Sequence, residues 1–494
     1  MRITSQRLSV GEKIGYALGD LAANLIFQTL VTFISFYYTD AYKIPAATAS
    51  TIIFTCGIIA AFFNPVMGAI ADRTQTRWGK FRPWVLWTSI PFGVMAMITF
   101  TTPGFGMTGK IIYAVITYFL LLIVYAANNL PYAALSGVMT GDMGERNSLS
   151  SYRFVAVMIA QFIIQVLLYP LVLIVGDGDK AVGFEKTMTV FAIIGTIFLI
   201  ITFLSTKERI IPKPDQKSTV KQDLSDLSKN RPWIIMLVVT ILIFINLALK
   251  GGMYIYYFNN YVNKESLGML LNDIGFDGLI ARLNNFLINV GLSGYQWPED
   301  PASSGFSLFN AGGIIFMIVG IAFSKPLADK FGKRDIFGGA LFLSTLFLFA
   351  FLFYSPESTS LIYISYILHG FTYGITIPLL WAMIADVADY SEWKNNRRAT
   401  AIIFSAMIFG LKAGLTIGGG LVAGILALYG YNIDLQIQNP GTINGIKLSV
   451  SLYASIPFFI AVACLFFYEI GKKMEQKIEE ELENRRINSS PNKV

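Results

Sequence analysis

The stretch NPVMGAIADRTQTRWGKFRPW, residues 64–84, decides how the chain is read. An apolar segment runs out into Asp72, Arg73, Arg77, Lys80 and Arg82, and a second apolar segment starts at once from Pro83. Each flanking segment is long enough for a membrane-crossing helix, which takes about 20 apolar residues. Lys and Arg in a short loop resist translocation, so this loop belongs on the cytoplasmic side. A weaker copy, ADKFGKR at residues 328–334, closes another apolar segment in the second half of the chain. Two such loops point to a duplicated chain built from parallel repeats.

Composition agrees. Hydrophobic residues make up 54% of the 494 and charged residues 14%, which is far too apolar for a soluble domain of this length. The mean hydropathy is +0.57. The net charge of +7 does not indicate nucleic acid, because the Lys and Arg residues gather in loops and at chain ends, as the positive-inside rule requires. Cys56 and Cys464 both lie in apolar segments, so no disulfide framework or zinc site is expected, and the single histidine, His369, cannot form a histidine metal site alone. The apolar segment after Lys13 has full spanning length and no cleavage pattern, so it is expected to be retained as the first span.

Twelve spans are predicted, over 14–39, 46–71, 83–101, 111–140, 151–175, 187–205, 232–261, 306–327, 336–353, 360–387, 400–428 and 448–470. The fold class is therefore an all-α integral membrane protein with two six-helix bundles, 1–205 and 232–471. Residues 206–231 link them; KERIIPKPDQKSTVKQDLSDLSKNR, starting at Lys207, carries seven Lys or Arg against four Asp or Glu. That linker and both termini are expected on the cytoplasmic side, with 472–494 as a solvated, charged tail. Between the seventh and eighth spans lies an insert, 262–305, whose apolar residues recur at near-helical spacing. It is read as short helices in the membrane interface that cap the outer mouth.

A charge at the centre of a span costs about 2.5–3.5 kcal/mol on insertion scales, so the few that occur carry function or pair with one another. Asp20, Arg153, Lys250 and Lys412 stand out. Asp20 heads a stripe with Asn24 and Gln28; Asn129 and Tyr132 lie on the fourth span; Arg153 shares a face with Gln161 and Gln165; Lys250 shares one with Asn246, Tyr254 and Tyr257. Such faces line an aqueous cavity rather than meet lipid. Their amides, hydroxyls, charges and rings suit a sugar, which offers hydroxyls to bond and a C–H face to stack. Asp20 is the expected counter-charge of Lys412, and His369 is read as a packing or hydrogen-bonding residue.

The loop pattern around Gly68, Asp72, Arg73 and Arg77 resembles that between the second and third helices of the major facilitator superfamily. Within it, the chain is identified as similar to the glycoside-pentoside-hexuronide:cation symporters. That resemblance rests on FYYTD at 36–40, NPVMG at 64–68, RWGKFRPW at 77–84, NLPY at 129–132, YRF at 152–154 and ADVADYSEW at 385–393. It implies that Arg153 contacts the sugar and that Lys412 links the sugar and cation sites. Asp20 lies one residue from the family's first-helix sugar-binding aspartate. Asn129 stands where the family has a second, and Ala133 replaces a tryptophan, so specificity is expected to differ. The family's sodium site on the second helix has two carboxylates; here those positions are Ala60 and Asn64, and a helix-four threonine is Ala126. The coupling set is then Asp20, Lys412 and Asn64, with a proton on Asp20 expected ahead of sodium and no other cofactor.

The resemblance and the residues together imply a secondary transporter importing a sugar, glycoside or hexuronide by alternating access. An uncoupled uniporter, a lipid or amphiphile carrier, and a membrane sugar sensor are the alternatives; enzyme activity is not expected. A cytoplasmic gate is expected from Asp72, Arg73 and Arg77 with Asp329, Lys333 and Arg334. The expected setting is a monomer in the cell inner membrane, with a small sugar and the bilayer as partners and no nucleic acid.

Overall fold

The structure, a computed structural model, describes residues 7–140, 143–209, 230–291, 294, 296–298, 300–395 and 400–489. The segment 210–229, most of the expected linker, lies outside them. Helices α1 (Val10–Phe36), α2 (Ala46–Arg73), α3 (Arg82–Thr99), α4 (Met107–Met139), α5 (Met143–Phe162), α6 (Leu168–Val175) and α7 (Lys180–Ser205) make up the first half. In the second half come α8 (Arg231–Asn260), α9 (Lys264–Asp273), α10 (Phe276–Asn289), α11 (Pro301–Phe331), α12 (Lys333–Phe349), α13 (Thr359–Asn395), α14 (Thr400–Leu428), α15 (Pro440–Leu448), α16 (Ala454–Leu465) and α17 (Lys472–Ser489). No strand occurs among the described residues.

Among the described residues, eleven helices are long and apolar enough to cross a membrane. The twelfth expected span is α3, whose 18 residues include Arg82, two tryptophans and Pro91, which lower its hydropathy. Helices extend past the apolar cores read from sequence; α7 starts at Lys180 and α5 at Met143, because polar helix ends continue beyond the hydrocarbon depth. α1 opens on a capping box: Ser9 Oγ accepts from the Glu12 N–H and Glu12 accepts from the Ser9 N–H, both at 3.2 Å. On α7, Val190, Ile193, Ile197, Ile201 and Leu204 form an exposed apolar stripe, while Ala192, Leu199 and Thr202 are buried. An exposed stripe of that kind suits hydrocarbon.

The loop within residues 64–84 has an anchor that sequence reading missed. The Glu208 carboxylate accepts the backbone N–H groups of Lys80, Phe81 and Arg82 at 2.8, 2.6 and 2.8 Å. These are orphan donors at the start of α3, where the helix dipole also favours an anion. Gly79 has φ +113°, and a Cβ there would stand 2.4 Å from the Glu208 carboxyl carbon, so glycine is required twice over. Arg82 continues the seam, donating to the Phe203 carbonyl at 2.7 Å.

The chain forms two compact units. One holds residues 1–214 with 254–310 and 419–443; the other holds 215–253, 311–418 and 444–494. In the first, Phe36 meets Tyr169 and Tyr256 edge-on at 5.5 and 5.6 Å, and Phe33 meets Phe306 at 6.1 Å. The insert forms α9 and α10; α9 buries Leu267 and Leu271, whereas α10 leaves Leu279, Leu283 and Phe286 exposed.

In the second unit, Gly414 and Gly418 on α14 face α8. A Cβ at either would lie 2.5 or 2.4 Å from the Ile241 or Ile245 carbonyl oxygen, so the two backbones touch. The tail is not free as expected: α17 buries Ile478 and Leu482. Its Glu481 accepts from Trp393 Nε1 at 2.6 Å, and its Glu475 pairs with Lys333 at 2.7 Å. Gly414→Val should lower stability by about 1–3 kcal/mol through overpacking, read as a fall in the melting midpoint of the detergent-solubilised protein. Gly339 on α12 is exposed, and a Cβ there meets no neighbour within 4 Å. Gly339→Ala is therefore the control, expected not to lower the midpoint.

Candidate functional site

Asp20 is 4% exposed, and among the described residues it is the only acid buried to that degree. It sits mid-way along α1, where a Cβ on Gly15 would meet Ser205 of α7 and one on Gly19 would meet Tyr132 of α4 and Thr202 of α7. Its Oδ2 accepts from Arg153 Nε on α5 at 2.7 Å, and its Oδ1 accepts from Asn24 at 3.3 Å. The expected ion pair of Asp20 is therefore found with Arg153; Lys412 belongs to the other unit, half-buried on α14. Arg153 lies over the rings of Tyr16 and Tyr132 at 5.7 and 5.4 Å. Those rings stack at 4.6 Å, and each hydroxyl donates to the other residue's carbonyl, at 3.0 and 2.7 Å.

The two tyrosines thus form a rigid floor under the guanidinium. Tyr132, expected to contact substrate, is fully buried, its hydroxyl is committed and its ring lies under Arg153. Asn24, Gln28 and Asn129 remain half-buried. Phe27 stacks on Tyr125 at 5.1 Å. The cluster offers a charged pair, amides and aromatic faces within one unit, a set that bonds hydroxyls and stacks on an apolar ring face.

A family described as MFS/sugar transport protein matches residues 15–281 and 300–472. The chain belongs to that family. It is a multi-pass membrane protein that transports sugar, and the unmatched residues between the two matched segments fall within the insert. The inner membrane symporter YicJ of Escherichia coli is 33% identical over 453 residues, covering 92% of this chain and 89% of the relative. The isoprimeverose transporter of Lactiplantibacillus pentosus is 28% identical, covering 96% and 91%. Among solved structures, a D-xylose-proton symporter aligns with a TM-score of 0.57 at 13% identity, covering 93% of this chain and 97% of that one, a likeness of fold.

The remaining expected residues of this sugar transporter fall in several places. Lys250 is 5% exposed and turns into its own unit, where its Nζ bonds His369 Nε2 and lies 4.9 Å from the Tyr373 ring centre. A buried lysine in apolar surroundings takes the polar partner it can reach, and here that partner is His369. His369 is satisfied as expected, with Ser344 Oγ 2.8 Å from Nδ1. Asn64 donates to the Ala61 carbonyl at 2.9 Å, and Ala60 beside it is buried.

Of the expected gate residues, Lys333 and Arg334 find ionic partners within their own unit. Lys333 is held by Asp386 at 2.7 Å as well as by Glu475, and Arg334 pairs with Asp335 at 2.8 Å. Asp329 is exposed and lends its carbonyl to Lys472 at 2.8 Å. Arg73 and Arg77 are exposed, Arg77 lying over Trp78 at 4.8 Å, while the Asp72 side chain lies outside the described residues.

Sequence reading missed the closure at the insert end of the first unit. A π-helical turn, Tyr37–Ala41, extends α1 and presents Thr39 and Asp40. Thr39 Oγ1 and the Tyr256 hydroxyl are 2.6 Å apart, and Tyr431 donates to Asp40 at 2.8 Å. Burial, then the neighbouring Asp40 charge, pushes the Tyr431 phenol well above its ordinary range, which keeps it a donor at neutral pH. FYYTD at 36–40 stands out in the sequence, but its distant partners do not.

Breaking the Asp20–Arg153 pair from one side leaves an uncompensated buried charge, which costs about 3–5 kcal/mol. With the Arg153 side chain 29% exposed, the lower end applies. Arg153→Ala should lower the melting midpoint in detergent, and Asp20→Asn added to it should recover most of the loss. A double variant no more stable than the single would mean that the pair is not the source.

Proposed function

We propose that the protein imports a glycoside or related small sugar by alternating access, coupled to a proton carried on Asp20. The observation that carries this reading is the buried Asp20–Arg153 pair on its Tyr16–Tyr132 floor. Sugar hydroxyls that bond Arg153 compete with Asp20 for its guanidinium, and a carboxylate losing its cation in low dielectric gains affinity for a proton. Binding of sugar and proton is then linked at one group. Supporting this, Ala60 and Asn64 place no carboxylate at the positions that would hold sodium on α2, and hard cations need oxygen ligands, commonly carboxylates.

In this reading the insert faces the outside, the basic loop at 77–82 faces the cytoplasm of a cell with this protein in its inner membrane, and Tyr256 and Tyr431 close the outer path. Lys412, on the face of α14 away from Gly414 and Gly418, is the candidate contribution of the second half.

Uptake into proteoliposomes of labelled glucosides, xylosides and glucuronides tests this, with a proton or a sodium gradient imposed. Accumulation should follow the proton gradient alone. Asp20→Asn should abolish that accumulation while leaving sugar equilibration down its own gradient. Sodium-driven accumulation, or proton-driven accumulation unchanged in Asp20→Asn, would overturn the coupling scheme.

A further inference from the structure

The first unit holds a polar cavity, at its insert end, that does not include the Asp20–Arg153 pair. Its volume is about 840 Å³, within the range of about 300–1,000 Å³ typical of ligand pockets. Asp40 at the end of α1, Tyr169 on α6, Asn259 at the end of α8, Gln296 in the insert, and Tyr431 and Gln436 after α14 all line it. Twenty residues of helix separate Asp20 from Asp40, about 30 Å at 1.5 Å per residue. The aromatic contacts of Phe33, Phe36, Tyr256 and Phe306 occupy the level between them along α1.

The charges in its wall are already matched. Asp40 accepts from the Tyr431 hydroxyl and has Lys180 Nζ 3.9 Å away, and Lys264 pairs with Asp300 at 3.1 Å. Asp177 stands at the exposed rim. An anionic ligand would have to displace one of those pairs, and a cationic one would meet only the exposed Asp177 at the rim. What remains on offer is hydrogen bonding from the exposed carboxamides of Gln296 and Gln436 and from the remaining capacity of Asn259, which also bonds Tyr169, together with the half-buried ring of Tyr431. That combination fits a neutral polyhydroxylated ring and does not fit an acyl chain.

We infer that this cavity is an outer saccharide site, which holds a small neutral glycoside or oligosaccharide before it enters the transport path. The inference rests on the outward orientation of the insert proposed above. It also gives the insert a role beyond a cap, since Gln296 comes from it.

The test is equilibrium dialysis of the full-length protein in lipid nanodiscs against labelled methyl glucosides, methyl xylosides and their disaccharides, paired with proteoliposome uptake. Wild type should bind two equivalents of a transported sugar and Arg153→Ala one. The Asn259→Ala/Gln436→Ala double variant should also bind one, with its uptake KM raised about 2–10-fold, as loss of a hydrogen bond or so implies, and its maximal rate kept. If the double variant does not fold, Gln436→Ala alone, at an exposed loop side chain, takes its place with the same readouts. A single equivalent that Arg153→Ala removes, no binding of any panel sugar, or a Gln436→Ala variant identical to wild type in both measurements would overturn the outer site. Full transport by Arg153→Ala with two equivalents still bound would instead sink the transport-site reading and leave the outer site standing.

Discussion

Everything in the first unit is arranged around one constraint: a carboxylate has been taken out of water and must be kept ionised or neutralised by what surrounds it. Burying a charge is tolerable only with a partner close by and the remaining lone pairs occupied. Arg153 supplies the partner at 2.7 Å and Asn24 occupies the second oxygen. The guanidinium in turn needs a surface that does not compete for its hydrogen bonds, and the stacked faces of Tyr16 and Tyr132 provide it. Since both tyrosine hydroxyls are spent on backbone carbonyls, the floor cannot rotate to offer itself elsewhere. The pair is stable in isolation yet open to any ligand that replaces one half of it.

Much of this is legible in the sequence, and the reason is the solvent. In hydrocarbon a charged side chain is so costly that its mere presence marks it, which singles out Asp20, Arg153, Lys250 and Lys412 without any structure. Which charge meets which is not legible. Helical periodicity assigns a residue to a face, but the neighbour on that face depends on the order of helices around the bundle. Asp20 is expected opposite Lys412 because no other acid in the helical interior is clearly placed to neutralise that lysine, whereas in the fold Arg153 on the adjoining α5 satisfies Asp20. Lys250 shows the same limit: its stripe is polar as read, yet Lys250 itself meets His369 and Tyr373 inside its own unit.

The basic loop shows a different limit. Its charges announce a membrane-flanking loop through their sign and density. Three of its backbone N–H groups matter as much, because they open α3 and converge on Glu208, a residue distant in the chain that reads as ordinary linker. Gly79 is the trace this leaves in the sequence, since only glycine fits both the positive φ and the approaching carboxylate. Likewise the second loop's Lys333 and Arg334 spend their charges on Asp386 and Asp335 in the same unit. Charge density locates both loops; only the folded chain shows their partners.

The closure at the insert end is weak in a way that suits a transporter. Its polar contacts are Thr39 with Tyr256 and Asp40 with Tyr431, each worth about 0.5–1.5 kcal/mol net. Edge-on aromatic pairs such as Phe36 with Tyr256 add about 0.5–1.5 kcal/mol apiece beyond area burial. The total is a few kcal/mol, comparable with the roughly 5.5 kcal/mol of differential binding that carries a two-state equilibrium from one side to the other. In the proposed alternating-access cycle, a closure many times stronger could not be opened by the binding energy of a small sugar, and one without these contacts would leave the proposed outer path unsealed. The π-helical turn at Tyr37–Ala41 is what brings Thr39 and Asp40 to their partners; a regular helix would advance each residue by about 100° and carry the pair off that line.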